Sequence, residues 1–188
     1  MPTATRKPPH APPATRSASD TRYDTRRLHA TKNDLPESTR AEVTGLLNQR
    51  LAECIDLAAQ CKQAHWNVKG PSFIALHQLF DEVHEDVQEY ADLIAERIVQ
   101  LGGVAEGTVA VASERSTLLD YPLALSSGAE HAAALSDALA GFGRAVRVGI
   151  DEMNDLKDAG SADILTEISR GVDKWLWFVE AHLEGRRS

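Results

Sequence analysis

The sequence predicts an all-α fold: four long helices packed as a bundle, with one long connection between the second and the third. Three observations carry this. Ala and Leu dominate while β-branched runs are scarce, a composition that favours helix. Apolar residues recur at spacings of three and four over four long windows. Gly70-Pro71, Gly102-Gly103 and a segment ending at Pro122 separate those windows. A chain of 188 residues suits one domain with a core of its own.

Residues 1–34 stand apart as an extension from a bundle domain at 35–188. Five of the eight prolines fall at Pro2, Pro8, Pro9, Pro12 and Pro13. Up to position 32 the basic residues are Arg6, Lys7, Arg16, Arg22, Arg26, Arg27 and Lys32, against Asp20 and Asp24, a net +5. The whole chain carries −8, so residues 33–188 carry −13. A Pro-rich cationic segment of this kind buries too little apolar surface to fold alone. The first helix is expected from Pro36 to Ala64, with Pro at an early position and Glu37 in the first turn. Its apolar stripe is Val43, Leu46, Leu47, Leu51, Ile55, Leu57 and Ala58. The second runs from Ser72 to Leu101 and stops at the Gly pair. A loop follows, with a short helix expected at Val109–Arg115. The third helix covers Leu123–Lys157 and is ended by Gly160; the fourth covers Ala162–Leu183, with Trp175, Trp177 and Phe178 anchoring it in the core. Four helices with one long central crossover suggest a ferritin-like bundle.

Composition bounds the function. No stretch approaches the ~20 apolar residues of a membrane span, and no apolar signal-peptide core is visible at the N-terminus. A cytoplasmic protein, with no membrane partner, is therefore expected. Cys54 and Cys61 lie roughly 10 Å apart along one helix, too far for a disulfide to each other, and read as core filler.

The second helix carries three faces. With His77 at zero and ~100° per residue, Asp81, Asp92 and Glu96 fall between about 40° and 100°, with His84 and Gln88 near zero. Leu76, Phe80, Val83, Val87, Tyr90, Ile94, Ile98 and Leu101 form the core stripe. Glu82, Asp86 and Glu89 form an acidic flank. A His and an Asp four apart are ordinarily a solvated or structural pair, and Asp92 and Glu96 beside Arg97 are ordinarily surface charge. The conjunction of both pairs on one face, with His65 just before the Gly70-Pro71 turn, is less common. Distance separates them: Asp81 and Asp92 lie about 16 Å apart along the axis, His77 and Glu96 close to 28 Å. One metal with ligands near ~2 Å cannot reach both. They are two half-sites, and a second copy of the helix, antiparallel across a two-fold axis, would complete each, giving two identical sites per dimer. The chain also lacks any Glu with a His three positions on, the motif of bundle-core di-iron sites.

The stretch KQAHWNVKGPSFIALHQLFDE, followed by ADLIAERIVQLGG and, near the C-terminus, ADILTEISRGVDKWLWFVEAHLE, closely resembles the Dps mini-ferritins from about Leu35 to Leu183. The resemblance implies a ferroxidase whose iron ligands are His65, His77 and Asp81 of one subunit with Asp92 and Glu96 of its two-fold partner, in a hollow shell of twelve subunits. It implies Fe2+ as substrate, hydrogen peroxide as the favoured oxidant and a ferric mineral as product, with no organic cofactor. By the same likeness Trp66 packs at the site, against the plainer reading of core or interface packing. Lys62 is either a charge partner one turn away or an ordinary surface lysine. Glu82 and Glu85 would nucleate mineral, or are simply a solvated acidic face. Among Asp155, Asp158, Asp163 and Glu167, the pore candidates are Asp158, Asp163 and Glu167. The alternative function is DNA coating, with Arg6, Lys7, Arg16, Arg22, Arg26 and Arg27 meeting phosphates. The tail departs from the lysine-rich tails of DNA-binding family members, being richer in Arg and Pro. It also reads as a strap along the shell, or, through His29 with Asp24 or Asp34, as an accessory metal site.

Overall fold

The computed structural model describes residues 27–184 and contains helices α1 (Glu37–Asn67), α2 (Phe73–Gln100), α3 (Val109–Arg115), α4 (Gly128–Asp155) and α5 (Ala159–Glu180). α1 packs on α2 and α4 on α5, as two hairpins laid together, and α3 lies on α1 within the crossover. No described helix is long and apolar enough to cross a membrane.

The α2 stripe is the spine of the core. Leu76, Phe80, Val83, Val87, Tyr90, Ile94, Ile98 and Leu101 are all buried, as the helical period requires. From α1, Val43, Leu47, Leu51, Leu57 and Ala58 join them, while Leu46 and Ile55 pack at the margin. Cys54 and Cys61 are buried and unpaired. Burial pushes both thiols far above their usual range, and Cys54 Sγ lies 3.2 Å from the Val87 carbonyl oxygen. α5 contributes Trp175, but Trp177 (66% exposed) and Phe178 (37%) face outward. That corrects the expected aromatic anchor: helical rotation carries only one of the three to the core face.

The helix boundaries shift where caps decide them. α4 starts at Gly128 rather than Leu123, because Ser127 and Glu130 form a reciprocal capping box. A side chain at Gly128 would force Leu76 to shift, since a Cβ there would stand 2.5 Å from Leu76 Cδ1. The Gly128 amide donates to Lys69 O at 3.0 Å, and the Lys69 amide to Ser126 O at 3.1 Å, pinning the α1–α2 turn to the start of α4. α5 starts at Ala159, capped by Asp158, so Gly160 lies in its first turn; Lys157, at φ 64°, makes the reversal instead.

The last residues of the N-terminal extension lie against the bundle. The His29 amide donates to Gly102 O at 2.7 Å, and Arg40 reaches Leu35 O at 3.2 Å and Leu101 O at 2.8 Å. Gly102, at φ +87°, is required here twice over, because a Cβ would also meet His29 O at 2.5 Å. His29 and Asp34 belong to no group of three or more metal-ligating side chains among the described residues; Asp24 lies outside them.

Candidate metal centre

His65 sits in the last turn of α1 and His77 in the second turn of α2. The five-residue link between them, with Gly70 at φ +110°, brings the rings face to face, centroids 3.7 Å apart and 21° from parallel. Each ring is held by the other's backbone. His65 Nδ1 lies 2.7 Å from His77 O, and His77 Nδ1 lies 2.8 Å from His65 O. A carbonyl can only accept, so both Nδ1 atoms carry the proton and donate it. In the neutral rings this leaves the Nε2 lone pairs as the positions that could bind a metal. The reciprocal lock thus sets the tautomer and the aim of both imidazoles.

Asp81, one turn beyond His77, is the third candidate donor, although the three do not by themselves close into a group that could hold a metal ion. Lys62 Nζ lies 2.5 Å from its Oδ1, and His65 Nδ1 lies 3.9 Å away. The Lys62 hydrogen bond, more than the charges of His65 and His84, holds the Asp81 carboxyl below the usual aspartate range, against the opposing effect of burial. Asp81 therefore stays ionised at neutral pH, and the ammonium supplies the positive charge that a cation would bring. Lys62 is thus a partner of the site rather than a free surface lysine. Its Nζ also stands 6.0 Å from the Trp66 ring, which is 68% exposed.

Asp92 and Glu96 are exposed on the same face of α2. They do not meet the histidines: within one chain no group of three or more metal-ligating residues assembles among the described residues. His84 is tied to α1, its Nδ1 donating to Ala58 O at 3.0 Å. Glu82, Glu85, Asp155, Asp163 and Glu167 are exposed. Asp158 is not available in that way. It is 2% exposed, accepts from Arg97 Nη2 at 2.7 Å and Ser161 Oγ at 2.6 Å, and caps α5 through the Ser161 amide. Its carboxylate is committed to the α4–α5 turn. Of the candidate DNA-contact residues, Arg27 is described and exposed; Arg6, Lys7, Arg16, Arg22 and Arg26 lie outside the described residues.

Several polar roles escape a reading by periodicity. Asp86, grouped with the acidic flank, accepts from Trp175 Nε1 at 2.7 Å and Lys174 Nζ at 3.1 Å, joining α2 to α5. Glu53 is fully buried, held by Arg50 at 2.9 Å and Thr117 at 2.7 Å. His131, also buried, pairs with Tyr121 at 2.7 Å, and burial lowers its pKa. Only Asp158 carried a local signal, as an Asp three residues before a Ser at a helix start.

Comparison with known proteins agrees with this architecture. A family model described as a ferritin-like domain matches residues 44–188. A DNA protection during starvation protein of Agrobacterium fabrum is 44% identical over 158 residues, covering 84% of this chain and 98% of the relative. One from Mycolicibacterium smegmatis is 37% identical over 150 residues, covering 80% and 81%. Among solved structures, DpsA14 from Streptomyces coelicolor superposes with a TM-score of 0.80 at 33% identity, over 85% of this chain and 94% of that one. Dps from Microbacterium arborescens in its high iron form gives 0.75 at 33%, over 82% and 99%.

Proposed function

The chain belongs to the ferritin-like family as a Dps mini-ferritin, and on that premise we propose that it oxidises ferrous iron, with hydrogen peroxide as favoured oxidant, and stores the ferric product inside a closed homo-oligomeric shell, protecting DNA. The observation that carries this is the His65–His77 lock. Two imidazoles with fixed tautomers keep Nε2 open, and an ionised carboxylate stands 3.9 Å from His65 Nδ1; imidazole with carboxylate suits ferrous iron. The remaining donors, Asp92 and Glu96, come from a second copy across a two-fold axis. Twelve subunits built from such dimers form the shell, in the bacterial cytoplasm.

The chemistry follows from the donors. Carboxylates stabilise the ferric state because they neutralise its added charge. Peroxide takes two electrons and each ferrous ion yields one, so two ions oxidised together consume peroxide without releasing a hydroxyl radical. Lys62, in contact with Asp81 Oδ1, is assigned the role of charge partner beside the centre. Trp66 is a nearby electron donor for any stray oxidant. Asp163 and Glu167, exposed on the first half of α5, are assigned to cation entry, and Glu82 and Glu85 to mineral nucleation. The test is to load the assembled protein with ferrous iron without air and then add peroxide. A soluble ferric core, with two ions oxidised per peroxide consumed, is expected. Iron that precipitates as it does without protein rejects the reading.

A second reading, DNA coating, is favoured by the contrast between the basic tail and the acidic body, and relatives are named for DNA protection. Removing residues 1–26 deletes five basic and two acidic residues while keeping the docked His29 segment. Iron oxidation should survive. Retardation of DNA by the full-length protein should weaken steeply between about 50 and 200 mM salt and vanish on truncation. Binding by the truncated shell at moderate salt would place the contacts on the body.

A further inference from the structure

We propose that His84 is a further iron-handling residue: its open Nε2, with the free oxygen of the Asp81 carboxylate, forms a second and weaker position for a divalent transition ion, one turn along α2 from the shared centre, and the ion passes from there to the centre. The passage rests on the ferrous-oxidation reading above; the binding does not. On the ligand face, α1 and α2 meet as a ladder of three rungs. His65 locks His77, Lys62 holds Asp81, and the Ala58 carbonyl oxygen accepts from His84 Nδ1 at 3.0 Å. The third rung repeats the chemistry of the first. Donation from Nδ1 to a carbonyl fixes the tautomer and leaves the Nε2 lone pair for a metal. Among the described residues no group hydrogen-bonds His84 Nε2, and the ring is only half-buried.

Spacing supplies the second donor. On the ~100° wheel with His77 at zero, Asp81 lies near about 40° and His84 near about −20°, so the two are neighbours on one face. An acid three residues before a histidine is the pairing that bundle-core di-iron sites use, with Glu as the acid. Here the acid is the shorter Asp. Lys62 Nζ takes Asp81 Oδ1 at 2.5 Å, while Oδ2 receives no hydrogen bond from the described residues. The carboxylate can therefore bridge, with one oxygen toward the ammonium or the shared centre and the other toward an ion on His84. His84 also stands near enough for its charge to favour the ionised Asp81, after the larger effects of Lys62 and His65. Gln88, exposed and one turn past His84, offers a neutral amide oxygen on the same face. Glu82 and Glu85, exposed beside the pair, raise the local concentration of cations. Imidazole with carboxylate selects ferrous, cobaltous or zinc ions over magnesium and calcium. So few protein donors leave most of the ion's shell to water, which suits an ion in transit rather than a resident one.

Equilibrium binding of Co2+ to the full-length assembled protein, without air, tests this. The native chain should show a tight class of sites and a separate, weaker class. His84→Asn keeps an amide donor for the Ala58 oxygen but has no Nε2. It should lose the weaker class, or lower its affinity at least about tenfold, and keep the tight one. The visible spectrum of bound Co2+ should lose the matching component. Asp92→Ala with Glu96→Ala should do the reverse. Identical isotherms for the native chain and His84→Asn overturn the proposal. Gln88→Glu alters only an exposed side chain and puts a charged oxygen one turn from His84, so it should tighten the weaker class about tenfold. No change there overturns the proposal even if His84→Asn fails to assemble. A His84-dependent class in a protein that does not oxidise iron would sink the ferroxidase reading alone. Iron oxidation with an isotherm indifferent to His84 would sink this one alone.

Discussion

Iron oxidation should fall by at least about 100-fold when either half of the proposed ligand set is removed, and should return to roughly a quarter of the native rate when the two damaged chains are assembled together. The two chains are His77→Ala with Asp81→Ala, and Asp92→Ala with Glu96→Ala. Each alone builds dimers in which both centres lack two donors. In a mixed dimer, one centre joins the intact His77/Asp81 half to the intact Asp92/Glu96 half, and the other collects all four losses. Random mixing makes about half the dimers mixed, and each has one working centre of two, hence about a quarter of all centres. Co-refolded shells, with mixing verified by mass, give the measurement. No recovery despite proven mixing would locate complete centres within single subunits, contrary to the separation of the two pairs along α2.

Arg97→Ala should cost about 3–5 kcal/mol of unfolding free energy, far more than an exposed ion pair would. Asp158 is 2% exposed and Arg97 Nη2 is its cationic partner at 2.7 Å; Arg97 Nε also donates to Ser161 Oγ at 2.9 Å. Truncating the arginine leaves a buried carboxylate with only the Ser161 amide and hydroxyl. Adding Asp158→Asn removes the stranded charge, so the double variant should be more stable than Arg97→Ala alone. Urea unfolding of the single and double variants measures the coupling. A loss below about 1 kcal/mol for Arg97→Ala would mean that water reaches the carboxylate. The effect should be one of stability and not of the chemistry at the metal, since Arg97 ties the end of α2 to the α4–α5 turn.

The fold was legible because a helix buries one face at a period that any window of the chain displays. The α2 stripe from Leu76 to Leu101 is buried throughout, and the short helix in the crossover lies at Val109–Arg115 as expected. Where a cap overrode periodicity, as at Ser127 and Asp158, the expected boundary was wrong by several residues. Their aromatic bulk also suggests Trp177 and Phe178 as core anchors, although α5 turns them outward.

The candidate centre divides along the same line. The sequence alone determined which donors share a face of α2, and that they lie too far apart to serve one ion, because both follow from rise and rotation per residue. Only the tertiary structure decided that His65 and His77 lock each other's tautomers, that Lys62 rests on Asp81, and that Asp158 is a cap held by Arg97. Those facts depend on side chains from different helices arriving within about 3 Å of one another. A helical period encodes direction around one axis, whereas such contacts are set by how two axes cross, which no single window of sequence contains.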